Sequence, residues 1–143
     1  IVSAVRKVIP DSMPLLARIS ATEYMEAGWS LSDSVELAGW MKDEGVDMID
    51  CSSGGNSPDQ DLDPFPGYQI PFASRIRKEV GIQTGAVGLI TDASQAEQTL
   101  RNGDADAIFL GRELLRNPYW PLYARDELDS SDDLWPRQYV RAR

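Results

Sequence analysis

The chain contains no histidine, and this absence narrows the chemistry that the sequence can support. Histidine is the commonest general base near neutral pH and the commonest metal-binding side chain. None of the 143 residues is a histidine. Acid–base or metal chemistry within this sequence would therefore depend on other residue types.

Cysteine is almost as scarce, since Cys51 is the single one in the chain. One cysteine cannot form an internal disulfide, and this composition favours a cytoplasmic protein. No histidine is present to activate the thiol, so we interpret Cys51 as a small buried core residue rather than a nucleophile.

Basic residues and long apolar runs are also few. Lys and Arg number 14 against 23 Asp and Glu, which gives a net charge of −9. This balance argues against a nucleic-acid surface, so any anion site must be local and built from a few donors. No apolar run reaches membrane-spanning length, and residues 1–10 do not resemble a signal peptide. We therefore expect neither a nucleic acid nor a membrane as a partner.

Four short apolar runs alternate with helical patterns along the chain. The runs are residues 13–20, 46–55, 82–90 and 106–112. Their apolar residues are so continuous that they predict parallel strands buried on both faces. Strands that alternate with helices indicate a parallel sheet with right-handed crossovers.

Start and stop signals delimit the intervening helices. Ser30 and Asp33 form a capping-box pattern before a helix that stops at Gly45. The next helix has Pro71 in its first turn and stops at Gly81. The last of the three crossover helices, which stops at Gly103, is predicted to be capped by Thr91.

This pattern fits either an open doubly wound sheet or part of a (β/α)8 barrel. No Gly-x-Gly-x-x-Gly sequence follows the first strand, which weakens the dinucleotide-binding alternative. A complete barrel needs about 250 residues and eight strands. The four predicted strands would therefore make half of a barrel, preceded by the end of a helix at residues 1–10.

Polar residues and glycines gather where the predicted strands end, which is where parallel α/β folds bind ligands. The last two strands end in Gly88 and in Gly111-Arg112. Glycine lets backbone N–H groups approach a phosphate, a helix N-terminus adds partial positive charge, and arginine is a bidentate donor. These junctions favour a phosphate site. The alternative is a pair of tight turns in which Arg112 forms an ion pair.

Arg18 lies within the first predicted strand, where an unpaired buried guanidinium would be costly. It would contact either an electron-rich ligand or a carboxylate such as Asp50, and the residues alone do not decide between the two. Asp59, Asp61 and Asp63 alternate in a Pro-rich segment, but they lack the spacing of a calcium loop. We interpret that segment as a solvated loop and predict no metal site.

Taken together and in order, several segments closely resemble the C-terminal half of the Old Yellow Enzyme family of FMN-dependent ene-reductases. The nearest likeness is to its bacterial, thermophilic-like class of NADPH dehydrogenases. The segments are "LLARIS", "VDMIDCSSGG", "YQIPFASRIR", "AVGLIT", "DAIFLGRELLRNPYWP" and "QYVRAR". The resemblance implies strands five to eight of a TIM (β/α)8 barrel.

The resemblance also implies roles for individual residues. Arg18 matches the residue that contacts the flavin pyrimidine edge, where a cation stabilises negative charge on the reduced ring. Arg141 matches an arginine of the C-terminal tail that reaches into a neighbouring subunit's active site. The positions that match the family's phosphate site are Gly88, Leu89, Gly111 and Arg112. Those that match a segment near the ribityl-phosphate side are Ser52, Gly54 and Gly55.

The chain departs from the family where the substrate binds. The family holds the substrate carbonyl with a His pair or His and Asn, commonly with a tyrosine proton donor, and these lie in the other half of the barrel. This class also has a flavin-tuning cysteine near its N-terminus, which is not Cys51. The sequence therefore carries cofactor-holding parts and lacks the substrate-activating parts.

From the resemblance we expect residues 1–128 to form an FMN-binding half-barrel and residues 129–143 to form a C-terminal tail. The whole enzyme would use NAD(P)H to reduce the activated C=C bond of an α,β-unsaturated carbonyl compound. The alternatives are an inactive half-barrel fragment or assembly module, and another phosphate-binding barrel enzyme. Expected partners are the N-terminal half of the barrel and further copies of the chain as a homo-oligomer.

Four strands of a barrel would leave two open edges and one sheet face without its opposing wall. Residues of the affected strands that face inward would then meet water. The apolar residues in those strands are Leu15, Ala17, Met48, Ile49, Ala86, Ile108 and Leu110.

Overall fold

The computed structural model describes residues 1–129 and 135–142. In this part of the chain, four parallel strands lie side by side in the order β1-β2-β3-β4. The strands are β1 Leu16–Ser20, β2 Met48–Ser52, β3 Gln83–Ala86 and β4 Ala107–Ile108. The helices are α1 Val2–Arg6, α2 Leu31–Asp43, α3 Ile70–Val80, α4 Ala93–Arg101, α5 Arg112–Arg116 and α6 Trp120–Glu127, followed by a 3₁₀ helix at Arg137–Ala142. The predicted parallel α/β sheet is confirmed.

The helices begin and end mostly where the sequence predicts. The Ser30 hydroxyl accepts the Asp33 N–H at 3.3 Å, and the Asp33 carboxylate accepts the Ser30 N–H at 2.9 Å, so the capping box is confirmed. Gly81 ends α3 in the left-handed conformation, with φ of +67°.

The predicted cap of α4 is wrong by one residue. Asp92 is the N-cap, and its carboxylate accepts the Gln95 N–H at 2.9 Å. Asp92 directly precedes Ala93, the first helical residue, and from there its short side chain reaches the free N–H groups of the first turn. The Thr91 carbonyl instead accepts a hydrogen bond from the Trp120 indole N–H at 2.7 Å.

One face of the sheet packs against the helices and forms the core. Successive residues of a strand point to opposite faces, and register places Ile19, Cys51 and Ala86 side by side on one of them. These residues are buried with Ile49, which is fully buried, and with helix residues such as Ile76. The core therefore lies between the sheet and its crossover helices.

The opposite face is open along β1, so the prediction of strands buried on both faces is wrong for this strand. It is confirmed for the central residues of β2 and β3, which are buried on both faces. Leu16 lies on this face and is 49% exposed. Arg18 and Asp50 follow two residues further along β1 and β2. Of the apolar strand residues that could meet water if they faced inward, Ile49 and Ala86 do not, because both point toward the helices and are fully buried. Arg18 and Asp50 make the middle of the open face polar.

Candidate functional site

A cleft of about 220 Å³ lies at the carboxyl ends of the strands. Parallel strands bring these ends to one edge of the sheet, so the segments that follow them converge there. Six of the residues predicted from the sequence line this cleft: Arg18, Ser52, Gly88, Leu89, Gly111 and Arg112. The structure therefore places together residues that are 94 positions apart, from residue 18 to residue 112.

A larger groove of about 770 Å³ lies between α4, β4 and α6. Its lining is mainly apolar and includes Leu100, Ile108, Leu114 and Trp120. Ligand sites combine apolar walls with a few convergent polar groups. The smaller cleft has such groups, so we take it as the candidate site.

The cleft concentrates positive charge in an acidic chain. Arg18, Arg112 and Arg116 line it, and Glu113 is the acidic residue of the lining. Arg116 donates to Glu113 at 2.6 Å. Arg112 is exposed and has no hydrogen-bond or ion-pair partner within residues 1–129 and 135–142. The alternative that Arg112 forms an ion pair is therefore not observed in this part of the chain. The Arg112 guanidinium is available to bind an anion.

The segment after β3 has an unusual backbone. Gly88 has φ of +125°, and a Cβ at this position would lie 2.9 Å from Gln69 Nε2 and 3.2 Å from the Tyr68 ring. Its carbonyl accepts the Gly67 N–H at 2.8 Å, which fixes the segment. Leu89 follows with φ of +53°, a conformation that is uncommon for a residue other than glycine. Such strain clusters at ligand sites.

The junction between β4 and α5, at Gly111-Arg112, differs from the prediction. A Cβ at Gly111 would meet no atom within 4 Å, so this glycine borders open space. The helix after it, α5, has only five residues. So short a helix aligns few peptide dipoles, and the predicted contribution of its N-terminus to an anion site is smaller than expected. Charge at this junction comes mainly from the arginine side chains.

Arg18 pairs with Asp50, and it also faces the cleft. Arg18 Nη1 lies 3.2 Å from Asp50 Oδ2, and Arg18 Nη2 donates to Ser52 Oγ at 3.2 Å. The Arg18 side chain is 61% exposed, so the expectation that it is buried is wrong. The reason is that it lies on the open face of the sheet. The two interpretations of Arg18 are therefore compatible, because one side chain has a carboxylate partner and a solvent-facing surface.

Asp50 is the buried member of this pair, with a side chain that is 10% exposed. Burial raises its pKa above the ordinary value, and the positive charge of Arg18 opposes this shift only in part. Its second oxygen, Oδ1, is buried and has no hydrogen-bond partner in the described part of the chain. Few buried polar atoms in proteins lack a partner.

Sequence reasoning missed Gln69, which lines the cleft and is 3% exposed. Its Oε1 accepts from Ser53 Oγ at 2.6 Å and from Ser52 Oγ at 3.5 Å. Ser53 Oγ also lies 2.7 Å from the Tyr24 hydroxyl, whose pKa is raised mainly by burial. Gln69 follows no strand directly, so the strand-end rule did not find it. Its position immediately before α3 was the available signal.

Arg116 was also missed, although its signal was present in the sequence. It lies four residues after Arg112, and residues at this spacing share one face of a helix. A second cation on the face of Arg112 could have been predicted from that spacing alone.

Three other predicted residues lie outside the lining of the cleft. Gly54 donates its N–H to the Thr22 carbonyl at 2.8 Å, and Gly55 donates to Gln60 Oε1 at 2.6 Å. Both have positive φ, so they shape the loop after β2. Arg141 is exposed in the final 3₁₀ helix. The cofactor and inter-subunit roles proposed for these residues stay predictions.

Cys51 is fully buried, as interpreted from the sequence. Burial raises the pKa of its thiol to about 12. A thiol with this pKa is protonated at neutral pH and is a poor nucleophile. The described residues contain no group of three or more acidic or cysteine side chains that could hold a metal ion. None of the helices in residues 1–129 and 135–142 is long and apolar enough to cross a membrane.

Comparison with known sequences gives one family match and several similar proteins. The family model described as "NADH:flavin oxidoreductase / NADH oxidase family" matches residues 1–130. An NADPH dehydrogenase of Halalkalibacterium halodurans is 56% identical over 129 residues, which are 90% of this chain and 38% of that protein. An NADPH dehydrogenase of Geobacillus thermodenitrificans is 52% identical over 141 residues, 99% of this chain and 40% of that protein. The chain thus spans about 40% of the length of these curated relatives.

Solved structures share the fold at lower sequence identity. A 2-naphthoyl-CoA reductase in complex with 2-naphthoyl-CoA superposes with a TM-score of 0.76 at 20% identity, over 88% of this chain and 20% of that chain. An active chimera of (S)-mandelate dehydrogenase gives a TM-score of 0.52 at 20% identity, over 89% of this chain and 30% of that chain. At this identity the likeness concerns the fold alone.

Proposed function

The chain belongs to the NADH:flavin oxidoreductase / NADH oxidase family, and from that premise we propose that it is the FMN-binding half of an NAD(P)H-dependent oxidoreductase. The observation that supports this most directly is the cleft at the strand ends. It combines Arg112, which has no partner among the described residues, with a second cation, Arg18, at a site bordered by two glycine-containing junctions. In this proposal β1 to β4 are strands five to eight of a TIM barrel, formed by residues 1–128, and residues 129–143 are the tail.

The residues at one end of the cleft suit the phosphate of FMN. Arg112 would supply charge-assisted hydrogen bonds, which are roughly twice as strong as neutral ones. Gly88 and Leu89 would bring the backbone close to the phosphate oxygens, because no Cβ stands at Gly88. Gly111 borders open space on the same side. Arg112 places a positive charge without a partner among the described residues in the cleft of an acidic chain, and this favours an anionic ligand.

The residues at the other end suit the flavin ring. Arg18 presents an exposed guanidinium from the open face of the sheet. A cation beside the pyrimidine edge would stabilise negative charge on the reduced ring. Ser52 lies between the two ends and has a hydroxyl that would bond to the ribityl chain. When bound, FMN would supply the hydride chemistry, and these side chains would hold and orient it.

We propose that the substrate of the complete enzyme is an α,β-unsaturated carbonyl compound with an activated C=C bond, and that the reductant is NAD(P)H. The curated relatives are NADPH dehydrogenases, which supports the nicotinamide part of this proposal. The chain has no histidine to bind a substrate carbonyl. The substrate-binding residues would therefore come from the N-terminal half of the barrel, which is the expected partner, together with Arg141 of a neighbouring subunit in a homo-oligomer.

Flavin titration tests this function. The complete barrel, assembled from this chain and its N-terminal half, should bind FMN with quenching of flavin fluorescence. Riboflavin lacks the phosphate, so it should bind at least about tenfold more weakly, corresponding to about 1.4 kcal/mol. Equal affinity for the two flavins would remove the phosphate site from the proposal. Binding of inorganic phosphate without any flavin would favour another phosphate-binding barrel enzyme instead.

A further inference from the structure

Asp50 has no role in the proposed function so far, although its position is unusual. It lies at the centre of the sheet, paired in register with Arg18 on β1 and with Gly85 on β3. Its carboxylate is nearly buried, while the arginine that it contacts is mostly exposed. Arg18 and Ser52 line the cleft, whereas Asp50 lies beneath them and is not part of the lining.

The Arg18–Asp50 ion pair should contribute little to folding stability. A buried carboxylate loses its hydration, and an exposed arginine returns only part of that free energy. One carboxylate oxygen has no hydrogen-bond partner in the described residues, which adds to the loss. A purely structural position on β2 would be filled better by an apolar residue. The pair is better explained if the Asp50 carboxylate acts on the Arg18 guanidinium, which faces the cleft.

We propose that Asp50 is a positioning residue that directs the Arg18 guanidinium toward the cleft and limits the positive charge that Arg18 presents to the flavin. This inference rests on the proposed function, because it assigns FMN to the cleft. Asp50 Oδ2 holds Nη1, and Ser52 Oγ holds Nη2, so two of the three guanidinium nitrogens are anchored from the sheet side. Asp50 would thereby set both the orientation of Arg18 and the reduction potential of the bound cofactor.

Two substitutions separate charge from position. Asp50→Asn removes the negative charge but keeps an oxygen that accepts from Arg18. FMN affinity should then change by less than about threefold, while the midpoint potential of bound FMN moves to a more positive value, because uncompensated positive charge stabilises the reduced ring. Asp50→Ala also removes the acceptor. It should shift the potential in the same direction and weaken FMN binding by about tenfold, the scale of one lost charge-assisted hydrogen bond.

The matched control is Asp106→Asn. Asp106 also pairs with an arginine, Arg77, at 3.0 Å, but at the opposite end of the sheet. It directly precedes β4, and it lines a cavity with Arg77 and Gln83. The control removes the same charge and the same kind of pair, and it should leave the potential and affinity of FMN unchanged.

A further pair of variants tests whether Asp50 acts through Arg18. This test does not require the Asp50→Asn protein to fold. Without Arg18, Asp50 has no guanidinium to orient, so removal of its acceptor oxygen should no longer affect FMN affinity. Arg18→Met and Arg18→Met/Asp50→Ala should therefore bind FMN with affinities that agree within about threefold. The double variant removes the whole ion pair, which proteins tolerate better than the loss of one member.

The measurements are FMN titration and potentiometry of the flavin-loaded barrel with an indicator dye. A positive shift in Asp50→Asn, no shift in Asp106→Asn, and equal FMN affinities for the two Arg18→Met proteins support the inference. An Asp50→Asn potential equal to that of the unsubstituted protein overturns it, as does a clear difference in FMN affinity between the two Arg18→Met proteins. Failure of the unsubstituted barrel to bind FMN is a separate result, which overturns the proposed function itself.

Discussion

The Phe109 ring lies directly over Gly85, in the space that a side chain at that position would occupy. A Cβ at Gly85 would overlap the ring at Cε2 and Cδ2. Gly85 belongs to β3, whereas Phe109 follows β4 and lines the cleft. The absence of a side chain on β3 therefore allows an aromatic ring to form part of the wall of the candidate site.

Gly85→Ala should displace this ring and destabilise the protein. Adding a methyl group to a packed position costs about 1–3 kcal/mol. The control is Gly39→Ala in α2, where a Cβ would meet no atom within 4 Å. Alanine is the better helix former, so the control should be neutral or stabilising by about 0.5–1 kcal/mol. Urea denaturation midpoints compare the two, and equal effects would contradict the close contact of Gly85 with Phe109.

Arg112→Ala should weaken FMN binding without affecting folding. The Arg112 side chain is exposed and makes no ion pair or hydrogen bond in the described part of the chain, so its removal should cost little folding stability. The lost charge-assisted bond to phosphate corresponds to about 1.5–3 kcal/mol, or roughly 10- to 150-fold in Kd.

The control for this prediction is Arg101→Ala. Arg101 also carries a surface cation, but it pairs with Glu97 within α4 and lies outside the cleft. Its removal should leave FMN affinity unchanged. Titration by fluorescence quenching measures both variants, and an Arg112→Ala protein that binds FMN as well as the Arg101→Ala protein does would reject the phosphate assignment.

Much of the fold could be predicted from the sequence because it depends on local signals. Runs of apolar residues, the Ser30–Asp33 capping pattern and the stop at Gly81 each act over a few positions. The alternation of strands and helices then restricts the topology to a parallel sheet. The error at Thr91 has the same origin, because Thr91 and Asp92 are both good caps and only the backbone conformation decides between them.

The candidate site was predictable to the extent that it follows from topology. Residues at the ends of parallel strands meet at one edge of the sheet, and this brings Arg18 and Arg112 into the same cleft. The exposure of Arg18 could not be predicted, because it depends on which sheet face the helices cover. Gln69 precedes α3 and follows no strand directly, so its place in the cleft depends on tertiary packing that the strand-end rule does not describe.

The stability of the protein should fall at alkaline pH because of Cys51. Its thiol has a pKa of about 12 in the folded state against 9.0 for a solvent-exposed thiol. The folded state therefore keeps its proton where the unfolded state loses it, and the resulting stabilisation is complete below pH 9 and is lost progressively as the pH rises toward about 12. Tyr24, whose pKa is also raised, acts in the same direction at higher pH.

A comparison with Cys51→Ala isolates this contribution. The free energy of unfolding of the native sequence should decline more steeply above pH 9 than that of the variant, because only the native chain has the buried thiol. A thiol reagent such as dithiobisnitrobenzoate at pH 8 should label the native protein only after unfolding. Rapid labelling of the folded protein, or parallel pH profiles, would contradict the burial of Cys51.

This chain alone should not reduce enones with NAD(P)H. It has no histidine to bind a substrate carbonyl, and its cleft of about 220 Å³ lies below the usual range of about 300–1,000 Å³ for ligand sites. Addition of the N-terminal half should produce enone-dependent oxidation of NADPH, measured by absorbance. Steady turnover by the purified chain without that half would overturn the proposed division between cofactor-binding and substrate-binding parts.

The isolated chain should associate with its N-terminal half or with itself. Among the described residues, β1 and β4 are the edges of the sheet, and an open edge presents unpaired backbone groups to other strands. Leu16 lies on β1 and is 49% exposed on the open face, so it should contribute to the contact.

Leu16→Lys should weaken association, since a lysine on an edge strand opposes pairing. Trp40→Lys is the control, because Trp40 is 59% exposed but lies on α2, away from that face. Sedimentation velocity over a range of micromolar concentrations measures the effect, and a cooperatively folding monomer at every concentration would show that the open edges do not drive assembly.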